Sequence, residues 1–463
     1  MAAQTSAAAT LPTARGKVRV LAQRVMADRV CMGTSSSSVP QMGLRYAVLK
    51  GGWRLTHRAR GSTLHLMIVV CGRTALRAAW QATDKRKMSP WRHGKDGETA
   101  MKRRDFLKSG TLATAAAVTI AAPAIAQSMP EVKWRLTSSF PRSLDTIFGT
   151  CQTFAKYIAE ATDGKFQVQT FSAGEIVPGL QALDAVANNT VECAHTPTYF
   201  YIGKDPVLGF GTGVPFGLNS RQQHSWWHFG GGEKLINDAL AKFNTYSIPC
   251  GNSGCQMGGF FRKELNTPAD LQGLKFRIGG MGGQVLSRLG VVPQQLAAGD
   301  VYPALERGTI DAAEFVGPYD DEKLGINRVA KYYYYPGWWE GGAMLHLVIH
   351  QGEWAKLPKH YQAMVHHACE AANNWMLAKY DAVNPPALRR LVAAGTELRA
   401  FPQPIMEAAL KAANEYYADL ASKNEAFKKT LESMTAFRGE SLLWWQVGEL
   451  SYDSFMARSR GRG

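Results

Sequence analysis

The stretch TPADLQGLKFRIGGMGGQ, Thr267 to Gln284, combines a helix start, a short β-like run and a glycine-rich turn. Thr267 caps a short helical turn that includes Asp270. Leu274 to Ile278 alternates apolar with basic residues, and Gly279, Gly280, Gly282 and Gly283 let backbone approach closely. Arg277 therefore stands where a strand runs out. A guanidinium there suits a carboxylate, because its planar fork offers two parallel donors that a lysine cannot copy. From these residues alone, a surface arginine beside a Gly-rich loop is the favoured reading, so the rest of the chain has to decide.

Of the 463 residues, 46% are hydrophobic, enough for two or three domains with sizeable cores. The net charge of +16 points to nucleic acid or an anionic membrane only if it is spread over the folded body. It is not. Residues 1–100 carry 17 Lys and Arg against 4 Asp and Glu, residues 101–126 carry 4 against 1, and the chain from Gln127 onward is neutral. A neutral body without a basic run excludes nucleic acid as the expected partner.

The break between these parts reads as an export signal. From Met101, MKRRDFLKSGTLATAAAVTIAAPAIAQ has a basic start, an Ala-rich apolar run and a small-residue site at Ala124-Ile125-Ala126. Arg103-Arg104-Asp105-Phe106-Leu107-Lys108 is similar to the twin-arginine type. A signal peptide does not work from mid-chain, so Met101 is expected to be the true start. Residues 1–100, which show no sustained period, are then expected to be a non-native or mis-assigned leader. Leu64 to Cys71 is apolar but too short to span a bilayer.

Beyond the leader remain Cys151, Cys193, Cys250, Cys255 and Cys369. Cys250 and Cys255 are the nearest pair and a disulfide between them is open, although buried free thiols are the default expectation.

From Val132 the chain alternates strand and helix: VKWRLTS, a helical run over Ser143–Thr162, KFQVQTF, a helix at Ala182–Asn188, and Val191–His195. Ser220–Phe243 reads as a helix. The rhythm repeats around Gly259–Arg262, Leu274–Ile278, a helix over Gly283–Leu289, Val291–Gln294 and Ile310–Val316. Two α/β lobes with a cleft between them follow. Ligands of such sheets sit at strand ends, which directs attention to the loops after Ser138, Phe171 and His195, the last containing Tyr199. Tyr332–Glu340, YYYYPGWWE, is the densest aromatic run, and aromatic runs usually pack a core. Pro358–Tyr380 is a long helix, Pro385-Pro386 starts another, Ile405–Leu431 continues helical, and Leu442–Ala457 is an amphipathic end suited to docking on a second subunit.

These residues resemble a family. The export signal, the two-lobe rhythm, LKFRIGG, DAAEFVGPYDD at Asp311–Asp321 and YYYYPGWWEGG at Tyr332–Gly342 are similar to solute-binding proteins of tripartite ATP-independent periplasmic (TRAP) transporters. Within that family the chain resembles the branch that binds monocarboxylate 2-oxoacids or 2-hydroxyacids, of pyruvate or lactate type, with a cation. The resemblance implies an α/β, two-lobed periplasmic binding protein with a long helical C-terminal part: residues 127–254 and 343–385 in one lobe, 255–342 and 386–425 in the other, and 426–463 as a helical tail. It also implies that Arg277 takes the substrate carboxylate and that Tyr199 lines the opposite wall. Gln256, Glu314, the Phe315 carbonyl and Glu340 would surround the cation, Gln256 and Glu340 also facing the ligand. That branch usually has Trp where this chain has Phe315, so the pocket wall here is smaller and lacks an indole N–H. Implied partners are a membrane permease and a second copy docked through the C-terminal helix.

The residue types agree with a hard cation, since carboxylate and amide oxygens suit Ca²⁺ or Na⁺ and no His/Cys cluster of zinc type is evident. With Arg277 at +1, the acid at −1 and both glutamates ionised, a divalent ion leaves the site neutral; pairing of one glutamate with Arg277 weakens that preference. Read without the family, Glu314 and Glu340 are salt-bridge residues. The enzyme-class alternative makes them an acid/base pair of a glycosidase, while Ser253 reads as a turn former and the histidines, His224 and His228 among them, as scattered. Arg277→Ala is expected to abolish binding and spare the fold.

Overall fold

A computed structural model describes residues 129–460 and the strand backbones within 45–69. The proposed signal peptide lies outside the described residues, as does the leader apart from those strands. Arg45–Leu49, Gly52–Ala59 and Ser62–Val69 form an antiparallel three-stranded sheet in chain order, in a segment whose sequence shows no sustained period.

The body from Met129 carries two sheets. The first orders its strands as Phe166–Phe171, Val132–Ser138, Cys193–Thr196, Met344–His350 and Thr245–Asn252. Its first three are parallel, and Met344–His350 enters antiparallel from far along the chain. That late strand is MLHLVIH, with every residue but His350 buried, as a strand covered on both faces requires. Helix Ile147–Ala161 covers the sheet, burying Ile147, Phe148, Cys151, Phe154 and Ile158 at helical spacing. Each such side chain contributes about 1.5–3 kcal/mol when fully buried.

The second sheet runs Val292–Gln294, Lys275–Arg277, Ala312–Ala313, Gly259–Phe261, Tyr332–Tyr335 and Glu397–Ala400. Tyr333 and Tyr334 are core residues, the Tyr333 ring stacked 3.9 Å from Phe260, so the aromatic run builds this sheet. The chain passes between the sheets at Asn252–Gly259, at Tyr335–Met344 and through the long helix.

Several boundaries differ from expectation. Ser220–Phe243 is two helices, Ser220–Phe229 and Gly232–Ala241, broken where Gly231 takes φ +88°. The long helix runs unbroken from Lys359 to Ala393, through Pro385 and Pro386. The two prolines withhold N–H donors, yet Tyr380, Ala387 and Leu391 are buried on either side and packing keeps the helix continuous. The last part is three helices, Gln403–Lys423, Glu425–Val447 and Glu449–Ser459, separated at Asn424 and Gly448. The final pair leaves Leu443, Trp444, Val447, Tyr452 and Phe455 more than 60% exposed. Among the described residues no helix is long and apolar enough to cross a membrane. The five described cysteines are free, four buried and Cys255 exposed, so no Cys250–Cys255 disulfide forms.

Candidate functional site

Pro268–Leu271 forms the expected short turn, closed by the Asp270 carboxylate, which accepts the N–H groups of Asn266 and Thr267 and the Thr267 hydroxyl. Strand Lys275–Arg277 follows and lies between Val292–Gln294 and Ala312–Ala313. The glycine-rich stretch is not a flexible loop, because Gly280–Ser287 is helical. Its glycines serve close packing: a Cβ on Gly279 or Gly280 would overlap the Tyr199 ring.

Arg277 is 1% exposed and Glu314 is fully buried. Arg277 Nη1 donates to Glu314 Oε1 at 2.7 Å and to the Glu314 carbonyl, while Nε donates to the Leu296 carbonyl at 3.2 Å. The guanidinium also sits 5.0 Å over the Phe315 ring. Of the two-pronged face expected from sequence, only Nη2 has no acceptor among the described residues. The other donors bond within the protein, so loss of Arg277 is expected to destabilise the fold rather than to spare it.

Glu314 Oε1 accepts a second bond from the Gly279 N–H at 3.0 Å, whereas Oε2 is buried without a partner. Burial raises the Glu314 carboxyl and Arg277 opposes that shift. Burial, then the charge of Glu314, pushes Glu340 well above the carboxylate range. Tyr199 is buried and its phenol is raised by the same burial and by both glutamates, which keeps it a neutral donor.

Gln256 gives the clearest orientation. Its Nε2 donates to Ser253 Oγ at 2.9 Å, and the same Oγ accepts the Ala343 N–H at 3.0 Å. Gln256 Oε1 is left buried with no partner. Ser253 is thus the buried residue that aims Gln256, a role hidden from the sequence reading although the i, i+3 spacing was its one visible sign. The Phe315 carbonyl accepts no hydrogen bond among the described residues.

Arg277, Gln256, Tyr199 and Phe315 line one small cavity of about 20 Å³, together with Ser253 and the apolar Phe140, Ile147, Phe200 and Leu345. Its walls come from both sheets and from the ends of strands Val132–Ser138, Cys193–Thr196 and Lys275–Arg277, as the strand-end rule expects. Glu314 and Glu340 are not on this wall. Glu314 reaches it through Arg277, and Glu340 is buried near enough to sense both. Arg277 is the one charged residue among those lining the cavity.

A family model described as bacterial extracellular solute-binding protein, family 7, matches residues 137–424. The chain belongs to this family. It is a periplasmic solute-binding protein of a TRAP transporter, a carrier and not an enzyme, which removes the glycosidase alternative for Glu314 and Glu340. It is 49% identical over 365 residues to the monocarboxylate 2-oxoacid-binding periplasmic protein of Nostoc sp., a match covering 78% of this chain and 100% of that one. A TRAP transporter solute-binding protein from Bordetella bronchiseptica is 48% identical with a TM-score of 0.71, covering 72% of this chain and 99% of that one. That structure is a mixed-occupancy dimer with copurified calcium and picolinate in one site and the other site apo. A TRAP solute-binding protein from Pseudoalteromonas atlantica, with bound sodium and pyruvate, is 33% identical with a TM-score of 0.68, covering 70% and 99%.

Proposed function

We propose that this TRAP solute-binding protein captures a 2-oxo or 2-hydroxy monocarboxylate together with a metal cation and presents the acid to a membrane permease. The observation that carries the reading is two buried, unpartnered oxygens: Gln256 Oε1, on a residue of the cavity wall, and Glu314 Oε2, on the carboxylate that pairs with Arg277. Buried acceptors without donors cost about 1–3 kcal/mol each, and a hard cation relieves that cost. Gln256, Glu314, Glu340 and the Phe315 carbonyl would hold the ion, which supplies positive charge to the 2-oxo and carboxylate oxygens of the acid. Arg277 Nη2 then takes the remaining carboxylate oxygen, and Tyr199 donates from the opposite wall. The Arg277–Glu314 pair is neutral by itself. Cation binding would take the proton from Glu340, so that Glu340 and the acid bring two negative charges, which one Ca²⁺ balances and one Na⁺ does not, and calcium is the proposed ion.

The apolar remainder of the wall, Phe140, Phe200, Phe315 and Leu345, suits an alkyl tail, and Arg277 is the sole cationic group for a carboxylate. Dicarboxylates therefore fit poorly. Closure of the two lobes about the crossing segments would cover the bound acid. The exposed apolar face of the last two helices supports a homodimer through that end.

Thermal denaturation with calcium and a panel of acids tests the reading. Pyruvate and longer 2-oxo monoacids should raise the midpoint while malonate and succinate leave it in place. Equal shifts from the dicarboxylates would overturn it.

A further inference from the structure

The expectation of scattered histidines fails at one place. His224 and His228 are four residues apart on helix Ser220–Phe229 and so share one face, and the long helix Lys359–Ala393 brings Glu370 against them. His228 Nε2 lies 3.1 Å from Glu370 Oε1, and His224 Nε2 lies 3.9 Å from Glu370 Oε2. One donor atom from each of the three falls within 4.8 Å of the others. Tetrahedral zinc with bonds of about 2.0–2.1 Å separates its ligand atoms by about 3.3 Å, so the three side chains have to close by up to about 1.5 Å to hold it. None of the three lines the cavity beside Arg277.

We propose that His224, His228 and Glu370 form a second metal site, selective for zinc-type transition ions, that ties helix Ser220–Phe229 to the long helix. Two imidazoles and one carboxylate are a borderline donor set that favours Zn²⁺, Ni²⁺ or Cu²⁺ over Ca²⁺, and a fourth position remains for water. Asn373 Nδ2 donates to His224 Nε2 at 2.6 Å, while its Oδ1 is held by the Gly251 N–H at 3.1 Å. The ring therefore already presents a lone pair at Nε2, and metal entry exchanges that hydrogen bond for a coordinate bond. His367 and Glu233 are the other ionisable groups whose charge Glu370 senses.

The proposal does not depend on what binds beside Arg277. Tag-free protein, stripped with chelator and resaturated with Ca²⁺ and pyruvate, is titrated with Zn²⁺ by calorimetry. One Zn²⁺ per chain is expected, not displaced by a hundredfold excess of Ca²⁺. His228→Gln and Glu370→Gln should each weaken it at least tenfold while unfolding in the metal-free state as the wild type does. Co²⁺ in its place should give the strong visible bands of a four-coordinate ion, lost in both variants. Absence of Zn²⁺ binding, unchanged affinity in either variant, or the weak bands of six-coordinate Co²⁺ would overturn the site.

Discussion

Replacing Arg277 by methionine removes the partner of a carboxylate that has no access to water. Glu314 then keeps one bond, from the Gly279 N–H, and its Oε2 already has none. Breaking a buried ion pair by deleting one member costs about 3–5 kcal/mol, because the remaining charge is uncompensated. The variant limits that cost by holding a proton on Glu314, whose folded-state pKa is then raised further above its ordinary value of 4.5. A carboxyl raised in the folded state stabilises at low pH and loses that contribution as pH rises through the folded value, at up to about 1.4 kcal/mol per pH unit. The deficit of Arg277→Met relative to wild type should therefore be largest near pH 8 and shrink towards pH 5. Adding Glu314→Gln should recover most of it, since the buried charge is gone. Equilibrium urea unfolding of wild type, single and double variants at both pH values measures this. A deficit under about 1 kcal/mol at pH 8, or a double variant no more stable than the single, would refute the reasoning.

Other consequences are as direct. Gly279→Ala has an ordinary backbone angle but drives a methyl into the Tyr199 ring, so it should cost about 1–3 kcal/mol by overpacking and weaken acid binding; unchanged affinity in a titration would show that Tyr199 is not on the ligand wall. Burial raises Asp320 to about 6 and Asp321 to about 7, against an ordinary 3.8, with Tyr380 and Tyr333 hydroxyls donating to them. Their stabilising contribution is complete below about pH 4 and lost as pH rises to about 7, so stability should fall across that window and Asp321→Asn should flatten the fall in a pH series of melts. Trp444→Glu with Phe455→Glu, on the exposed terminal helices, should convert a dimer to a monomer by light scattering; a wild type already monomeric at micromolar concentration would count against the dimer.

The sequence made some of this visible and hid the rest for identifiable reasons. The Pro268 turn and the strand ending at Arg277 rest on neighbouring residues, so local rules read them correctly. The alternation of strand and helix from Val132 showed two α/β lobes for the same reason. What was hidden depends on tertiary packing. The helix continues through Pro385 and Pro386 because Tyr380, Ala387 and Leu391 are buried around them, which overrides the local signal. Arg277 and Glu314 are 37 residues apart, and nothing local says that the guanidinium spends most of its donors inside the protein. Ser253 reads as a turn former because Ala343, 90 residues away, meets it only after the first sheet has closed, although Gln256 lies three residues along. Likewise Glu370 joins His224 and His228 only when the long helix packs beside theirs.

The shared site for acid and cation is the central claim, and paired calorimetric titrations of pyruvate test it most directly, one in Ca²⁺ and one in chelator with sodium-free buffer. Each ligand completes the other's shell, so removal of the cation should weaken pyruvate at least tenfold, and by reciprocity pyruvate should tighten calcium by the same factor. Equal pyruvate affinity in the two titrations would contradict the account.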